Sequence, residues 1–421
     1  MTDSSNSARF QRLQQPGQKS SPGSRRHLLR ALAGGGAAVG LSACGALPRG
    51  SAVPRADATR ATVLGIRNER FFPFTNFKPA EEELELALER RRQAYGAATI
   101  LDIPQYEILS VSGGGEDGAF GAGLLCGWSE HGGRPVFDWV TGVSTGALTA
   151  PFAFLGSAYD AQLRDVYTGI SAKDVLIERG LLAALTSDAL ADNAPLFVTI
   201  SRHVNDRMLA DLANAYKEGR LLFIGTSDLD AQQPVIWNVG AIAASGHPRA
   251  ADIIRRILLA SAAVPGAFPP VMIDVTVDGV PHQEMHVDGG AFAQAFLYPS
   301  VLTKERRRRA EAHQRVLPAE AYVIRNARLD PDWAATKRRM LGIAGRAIST
   351  MIAASGMNDV VRMFNRTRED GVDFNLAFIG ADFNEVLPSP FDQGYMRKLF
   401  DYAFAQARQG YHWTKKPPVP S

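Results

Sequence analysis

Two glycine-rich turns, each between a short apolar strand and a helical segment, constrain the fold of this chain more than any other feature. The first strand, residues 107–112, and the second, residues 137–143, each run through a glycine turn into a helical stretch. Such strand–turn–helix units build a mostly parallel sheet that helices cover on both faces. We therefore predict an α/β fold. Further strand candidates lie at residues 221–226, 235–239 and 322–324.

The first turn, residues 112–118, brings several backbone N–H groups to the start of a helix, where they can stabilise an anion. Its spacing also satisfies the dinucleotide-binding fingerprint. That fingerprint requires an acid at the end of the next strand, whereas Asp138 lies at the beginning of its strand. No Lys-Ser/Thr pair follows the turn, which excludes a P-loop. Taken alone, the turn does not decide between an oxyanion site and a nucleotide site. The glycines concerned are Gly113, Gly114, Gly115 and Gly118.

The second turn has the pattern G-x-S-x-G at residues 142–146. Gly142 and Gly146, two residues either side of Ser144, permit the tight turn that projects a serine hydroxyl. The pentapeptide also occurs by chance, so an ordinary glycine turn is the alternative. The strand before it and the helix after it favour a nucleophile elbow with Ser144 as the nucleophile.

A serine hydroxyl needs a base to act as a nucleophile at neutral pH. Asp288 follows an apolar strand and precedes two glycines, which presents its carboxylate at a strand end. His286 lies on the same face and is interpreted as a satisfied strand residue rather than a neighbour of the site. Of the other histidines, His412 is the best candidate for the base of a classical Ser-Asp-His esterase. Four are expected at the surface, namely His131, His203, His247 and His313. Both a Ser–Asp and a Ser–Asp–His arrangement remain open on these residues.

Residues 260–271 supply a further block, Ala-Ser-Ala-Ala-Val-Pro-Gly-Ala-Phe-Pro-Pro-Val, between the elbow and the aspartate. With the two glycine turns and Asp-Gly-Gly, in this order, it resembles the patatin-like phospholipase family over roughly residues 106–300. The resemblance implies a three-layer α/β/α sandwich, no cofactor, no metal and no catalytic histidine. It also implies that Ser144 is the nucleophile, that Asp288 is the base, and that N–H groups of the first turn form the oxyanion hole.

One departure from the family pattern concerns the residue before the last glycine of the first turn. The family usually has a basic residue there, whereas this chain has Asp117, with Glu116 beside it. The backbone donors remain, but two carboxylates repel a phosphate close to the turn. We therefore expect a neutral or less phosphate-dependent ester to suit the enzyme better.

The N-terminus resembles an export leader. Residues 1–43 hold six lysines or arginines and one aspartate, so they contribute +5 to a formal net charge of +3 and leave −2 for the rest. Paired arginines precede a short apolar stretch that ends in Leu-Ser-Ala-Cys44, which resembles a twin-arginine signal with a lipobox. We expect acylation of Cys44, attachment to the cell envelope, and an outer-membrane lipoprotein facing the periplasm or the surface. The near-neutral remainder gives no reason to expect nucleic acid as a partner.

The predicted organisation follows from these features. Residues 1–43 are the signal peptide, 44–60 a lipidated tether, 61–105 a helical extension, 106–300 the catalytic core and 301–421 the rest of that domain. Apolar residues at helical spacing from Met340 to Met363 predict a packed helix, with contact to an acyl chain as the alternative. The predicted activity is hydrolysis of lipid acyl esters. The competing classes are a nucleotide-binding oxidoreductase and a non-catalytic envelope lipoprotein that binds lipid. The sequence predicts no oligomeric state.

Overall fold

Residues 47–180, 187–298, 300–331, 333, 335–336 and 338–418 are described by the computed structural model. The leader and Cys44 lie outside these residues. The described strands are β1 (Arg70–Phe71), β2 (Tyr106–Val111), β3 (Trp139–Val143), β4 (Ile177–Glu178), β5 (Ala191–Asp192), β6 (Leu221–Asp228), β7 (Gln233–Asn238), β8 (Val271–Val277), β9 (Val280–Asp288), β10 (Ala319–Arg325) and β11 (Asp373–Phe378).

The described helices connect these strands and cover the sheet. They are α1 (Lys78–Ala94), α2 (Gly118–His131), α3 (Thr145–Leu155), α4 (Asp160–Thr168), α5 (Ala172–Val175), α6 (Ala194–His203), α7 (Asp206–Lys217), α8 (Val239–Ala244), α9 (Ala250–Ser261), α10 (Ser300–Glu311), α11 (Met340–Asp370) and α12 (Gln393–Arg408). In the described ranges, no helix combines the length and apolar character that crossing a bilayer requires.

The main sheet has nine strands, with the order β1-β7-β6-β3-β2-β10-β11 and with β9 joining β6 to β8. Strands β6, β3, β2, β10 and β11 run parallel to one another, whereas β1, β7, β8 and β9 form antiparallel pairs, β7 and β9 with β6. The prediction of a mostly parallel sheet in an α/β fold is confirmed.

Two hydrophobic cores lie on opposite faces of this sheet. In β3, Val140 belongs to the core that also holds α2, α3, α9 and α12, whereas Trp139 belongs to the core that holds α1 and the second half of α11. Alternating residues of one strand point to opposite faces, so each face buries its own layer of helices. The three-layer α/β/α sandwich is confirmed.

The segment before the core is built into the domain. The ion pair between Arg49 and Asp230 (2.6 Å) and the hydrogen bond from the Gln283 N–H to the Ser51 carbonyl (2.8 Å) join it to the β8–β9 hairpin region. The prediction of a tether over residues 44–60 is therefore wrong from Arg49 onward, because polar side chains in a stretch without apolar periodicity found partners in the folded domain.

The helix predicted from Met340 to Met363 exists as α11 but is packed only in part. Val360 and Met363 are buried, whereas residues 342–354 are exposed except for the half-buried Arg346. The prediction of a packed helix is wrong for this first half. Helical spacing of apolar residues shows that a face can be buried but not that the fold supplies a partner for it.

Candidate active site

Ser144 occupies a sharp turn between β3 and α3. Its φ of 56° and ψ of −128° lie outside the regions that a non-glycine residue ordinarily adopts. The turn can close only because Gly142 and Gly146 have no Cβ. A Cβ at Gly146 would lie 2.2 Å from the Val111 carbonyl oxygen, and one at Gly142 would lie 2.5 Å from the Gly146 carbonyl oxygen. Both flanking glycines are therefore required by the close approach of backbone to backbone. The strand–turn–helix geometry predicted for residues 142–146 is present.

The strained turn is held by Ser261 at the end of α9. The Ser144 N–H donates to Ser261 Oγ (3.0 Å), and the Ser261 hydroxyl donates to the Gly225 carbonyl on β6 (2.7 Å). Ser261 is completely buried. One hydroxyl therefore satisfies two buried backbone groups and ties the turn to the neighbouring strand. Sequence reasoning did not assign this residue a role, although it lies in the 260–271 block.

The register of β6 places Asp288 beside Ser144. Val143, the last residue of β3, pairs with Gly225, and Asp288, the last residue of β9, pairs with Thr226. Strand β7 pairs with one edge of β6. On the other edge, β3 pairs with β6 as far as Gly225, and β9 pairs with the residues that follow. Ser144, directly after β3, and Asp288, the last residue of β9, therefore lie beside adjacent residues of β6.

The Asp288 carboxyl is buried, and its burial raises the pKa from 3.8 to about 7, against the opposing effects of the Ser144 hydroxyl and the Gly290 N–H. The Gly290 N–H donates to Oδ1 (2.6 Å). Within the described residues, Oδ2 accepts no hydrogen bond. The Ser144 hydroxyl therefore lies close enough to stabilise the ionised form of Asp288, although it does not donate a hydrogen bond of ordinary geometry to Oδ2. Such bonds are often long until a substrate is bound.

The four glycines of the first turn differ in the direction of their N–H groups. Gly113 donates to the Gln294 carbonyl (3.1 Å), and Gly118 donates back into the short helix at Gly115–Asp117. The N–H groups of Gly114 and Gly115 have no acceptor among the residues that the structure describes. Of the four predicted donors, Gly114 and Gly115 are therefore the two that remain available to a substrate oxyanion.

A polar brace from the end of β10 holds this turn in place. The Asn326 side chain donates to the Ser112 carbonyl (2.9 Å) and accepts from the Gly121 N–H (3.0 Å). Arg325 donates to the Gly113 carbonyl (3.1 Å), and burial lowers its pKa to about 10. A Cβ at Gly114 would lie 2.0 Å from the Asn326 carbonyl oxygen, so only glycine fits there. Nothing in the sequence indicated the roles of Arg325 and Asn326.

A small cavity of about 90 Å³ opens beside Ser144 on the α3 face of the sheet. Gly115 and Glu116 line it on one side, and its remaining walls are mostly apolar. Ligand pockets for drug-sized molecules are typically about 300–1,000 Å³. A cavity of this size is too small for a drug-sized molecule unless it widens. Its apolar wall includes Leu148, Phe152, Leu196, Ile200, Met208 and Leu258.

Comparison with known proteins relates part of the chain to a known family. Residues 109–298 match the family model described as patatin-like phospholipase. The chain carries a patatin-like phospholipase domain. A domain of this kind indicates a lipid acyl hydrolase. A search of curated protein sequences finds no match.

Solved structures similar to the chain include VipD from Legionella pneumophila, at 10% identity and a TM-score of 0.34, covering 73% of this chain and 68% of VipD. Human GIVD cytosolic phospholipase A2 matches at 10% identity and a TM-score of 0.25, covering 78% of this chain and 54% of its own. The patatin-like assignment does not rest on these distant likenesses.

Three of the histidines singled out from the sequence have different surroundings from one another. His286 is a satisfied strand residue, with Nδ1 3.0 Å from Thr226 Oγ1 and Nε2 3.1 Å from Glu284. His412 is exposed. His203, expected at the surface, is half-buried and lines the cavity beside Ser144, because α6 packs against this face.

One group of side chains in the described residues has the spacing of metal ligands, namely Asp228, Glu284 and His286. Buried Arg70 forms an ion pair with Glu284, which together with His286 lowers the Glu284 pKa to about 2. Glu284 therefore already has a cationic partner and a hydrogen-bond donor. We therefore interpret the group as a structural network of ion pairs and hydrogen bonds, not as a metal site.

The two acids of the first turn are placed differently. Asp117 is largely buried, accepts a hydrogen bond from the Tyr395 hydroxyl (2.7 Å), and has a pKa raised by burial to about 6. Glu116 lines the cavity beside Ser144, and burial also raises its pKa. Glu116 is therefore the carboxyl that a substrate near the turn meets first.

Proposed function

We propose that the patatin-like protein hydrolyses lipid acyl esters with a Ser144–Asp288 dyad. The Asp288 carboxylate takes the proton of Ser144 Oγ, and Oγ attacks the ester carbonyl carbon. The N–H groups of Gly114 and Gly115 stabilise the oxyanion. The tetrahedral intermediate collapses, the proton passes from Asp288 to the departing alkoxide, and the acyl group stays on Ser144. A water molecule, deprotonated by Asp288, attacks the acyl carbon; the bond to Ser144 Oγ breaks, Oγ takes the proton back from Asp288, and the fatty acid is released.

The observation that carries this proposal is the register of β6, which presents the strained Ser144 and the buried Asp288 at neighbouring positions. A carboxylate whose pKa is raised toward 7 is a stronger base than an ordinary aspartate and is still ionised in a large fraction of molecules at neutral pH. Oxyanion donors of this kind typically supply about 3 kcal/mol each.

The test compares Ser144→Ala and Asp288→Asn with the parent protein on p-nitrophenyl butyrate. We expect each change to reduce kcat by about 10³-fold or more while far-UV circular dichroism is unchanged. Ser157→Ala, beyond the end of α3, and Asp278→Asn, at the tip of the β8–β9 hairpin, are matched controls that retain activity. Activity retained in Ser144→Ala would refute the dyad.

A Ser-Asp-His esterase is the second enzymatic candidate. Its base would be His412, which is exposed and is not among the residues lining the cavity beside Ser144. We expect His412→Ala to hydrolyse p-nitrophenyl butyrate at the parental rate. A loss comparable to that of Ser144→Ala would favour the triad.

For the substrate, we propose a preference for esters without a phosphate next to the glycine turn. The support is Glu116, whose carboxyl lines the cavity and which precedes Asp117, the position where a basic residue is usual in the family. Comparing kcat/KM for a monoacylglycerol and for a lysophospholipid of the same acyl chain tests this preference. A higher value for the lysophospholipid would contradict it.

For localisation, we propose an exported protein that is acylated on Cys44. The support is sequence alone, namely the basic leader and the Leu-Ser-Ala-Cys motif. Labelling of the full chain with a fatty acid in a bacterial host, compared with Cys44→Ser, tests the modification. Equal labelling of the two proteins would exclude Cys44 as the acylated residue.

A further inference from the structure

The first half of α11 is a helix that the domain leaves uncovered. Its apolar side chains are exposed to between 37% and 69%, as measured for Ile343, Ile348, Met351 and Ile352. A helix in a folded domain ordinarily buries such residues against another element. Residues 342–354 span about 20 Å at 1.5 Å per residue, so a substantial length of helix is exposed. We call this part of α11, residues 342–354, the exposed helix segment.

The exposed helix segment is two-sided. At about 100° per residue, Ile343, Ile348, Met351 and Ile352 fall within one half of the helix circumference. Arg346 and the small polar residues Ser349 and Thr350 fall on the other half. In the described part of the chain, the four apolar residues belong to neither hydrophobic core. An amphipathic helix of this kind suits a surface that is apolar below and charged above.

Between Asp332 and Asp359, the charged residues on and just before the segment are all basic. Residues 333–358 contain four lysines or arginines and neither aspartate nor glutamate, although the chain after the leader carries a net charge of −2. Trp333, just before the helix, is 87% exposed. Basic residues beside an apolar helical face, with a tryptophan nearby, complement a lipid surface with anionic headgroups. The four bases are Lys337, Arg338, Arg339 and Arg346.

The other half of α11 fixes the segment next to the candidate active site. The Asp359 carboxylate accepts the Gln294 N–H (2.7 Å), and the Gln294 carbonyl accepts the Gly113 N–H (3.1 Å). An added Cβ at Gly356 would lie 2.5 Å from the guanidinium of Arg325, which also contacts the Gly113 carbonyl. The helix therefore leaves the domain beside the glycine turn that flanks Ser144.

We propose that the exposed helix segment is a docking surface for a lipid bilayer with anionic headgroups. Its apolar half enters the boundary between headgroups and acyl chains, while Arg338 and Arg339, just before the helix, contact the headgroup phosphates. Docking holds the glycine turn and Ser144 close to the bilayer surface, where ester substrates reside. The proposal rests on the proposed function only in that lipid is the substrate, and it is separate from attachment through Cys44.

The experiment measures binding of the full chain to sucrose-loaded vesicles by co-sedimentation. Every protein carries Cys44→Ala, to remove acylation, and Ser144→Ala, to prevent hydrolysis. The vesicles are pure phosphatidylcholine or a mixture of phosphatidylcholine and phosphatidylglycerol. Test variants are Ile348→Asp with Met351→Asp on the apolar half, and Arg338→Gln with Arg339→Gln. The matched control is Ser349→Asp with Thr350→Asp, which adds the same charge on the opposite half.

We expect the parent to bind the mixed vesicles more tightly than the pure ones. The apolar-half variant should lose about tenfold or more of its affinity for both, because each aspartate removes apolar contact from the interface. The arginine variant should lose only the preference for phosphatidylglycerol. The opposite-half control should lose several-fold less affinity than the apolar-half variant, since its side chains face the headgroups.

Three results would overturn the proposal. The first is equal vesicle binding by the parent and the apolar-half variant. The second is an equal loss of affinity in the apolar-half variant and in its opposite-half control. The third is a parent that does not bind vesicles but forms a dimer, which the apolar-half variant converts to monomer. Unchanged circular dichroism excludes misfolding as the cause of a loss. With Ser144 intact, the apolar-half variant should hydrolyse soluble p-nitrophenyl butyrate at the parental rate. If the dyad is wrong, the Ser144→Ala protein retains this hydrolysis. If only the docking surface is wrong, hydrolysis behaves as expected and the co-sedimentation result does not.

Discussion

Asp288→Asn should change stability in a pH-dependent way, because the native carboxyl is held in a buried site. Burial raises its pKa from 3.8 to about 7 in the folded protein, whereas the unfolded chain ionises near pH 4. Between these values the folded state binds a proton that the unfolded state lacks. The carboxyl's contribution to stability is therefore fully present below about pH 4 and is lost as the pH rises through about 7.

The asparagine variant has no such proton, so its stability relative to the parent should rise with pH. From pH 5 to pH 8.5 the difference in free energy of unfolding should move by about 2.5 kcal/mol in favour of Asp288→Asn. Taking the change between two pH values removes any constant effect of the amide on packing. Urea unfolding of both proteins at the two pH values measures it.

Ser144→Ala supplies an internal check on this reasoning. The Ser144 hydroxyl lowers the Asp288 pKa, so its removal should move the loss of stability to higher pH. A difference between Asp288→Asn and the parent that is the same at pH 5 and pH 8.5 would refute the perturbed carboxyl. The variant would then be inactive for a reason other than the loss of a tuned base.

Four further results are expected. The plot of kcat/KM against pH should have an acidic limb near pH 7, since only the Asp288 carboxylate accepts the serine proton; a limb near pH 4 would exclude it. Ser261→Ala should cost about 2–3 kcal/mol in urea unfolding and lower kcat with little change in KM, because two buried backbone groups lose their partner. Gly114→Ala should lower kcat about 10²-fold or more in the same ester assay, since its Cβ displaces the turn from Asn326. Glu116→Gln should raise kcat/KM for a lysophospholipid more than for a monoacylglycerol; equal changes would remove Glu116 from substrate selection.

The local parts of the site could be predicted from the sequence. Each glycine turn is encoded within about ten consecutive residues, and the strands and helices on either side carry their own apolar patterns. Ser144 and Asp288 were therefore identified as candidates, and the mostly parallel sheet was predicted, without any knowledge of distant contacts.

The parts that could not be predicted depend on pairing between distant segments. The Ser261 hydroxyl meets the Ser144 N–H across 117 residues, and Asn326 meets Ser112 across 214. Pairing of this kind leaves no periodic signal in the chain. The choice among four glycine N–H groups likewise depended on Gln294, whose carbonyl occupies the N–H of Gly113. The uncovered half of α11 escaped prediction because an exposed and a buried apolar face have the same pattern.

The register of β9 also determines where the chain tolerates changes of length. Asp288 takes its place from pairing with Thr226 on β6, and the β8–β9 turn at Asp278 and Gly279 lies at the opposite end of the hairpin. Residues added at that turn lengthen the hairpin without moving the carboxylate. A single residue inserted just before Asp288 would turn its side chain to the other face of the sheet, away from Ser144. Length variation among relatives should therefore accumulate at the hairpin tip and be absent from the last residues of β9.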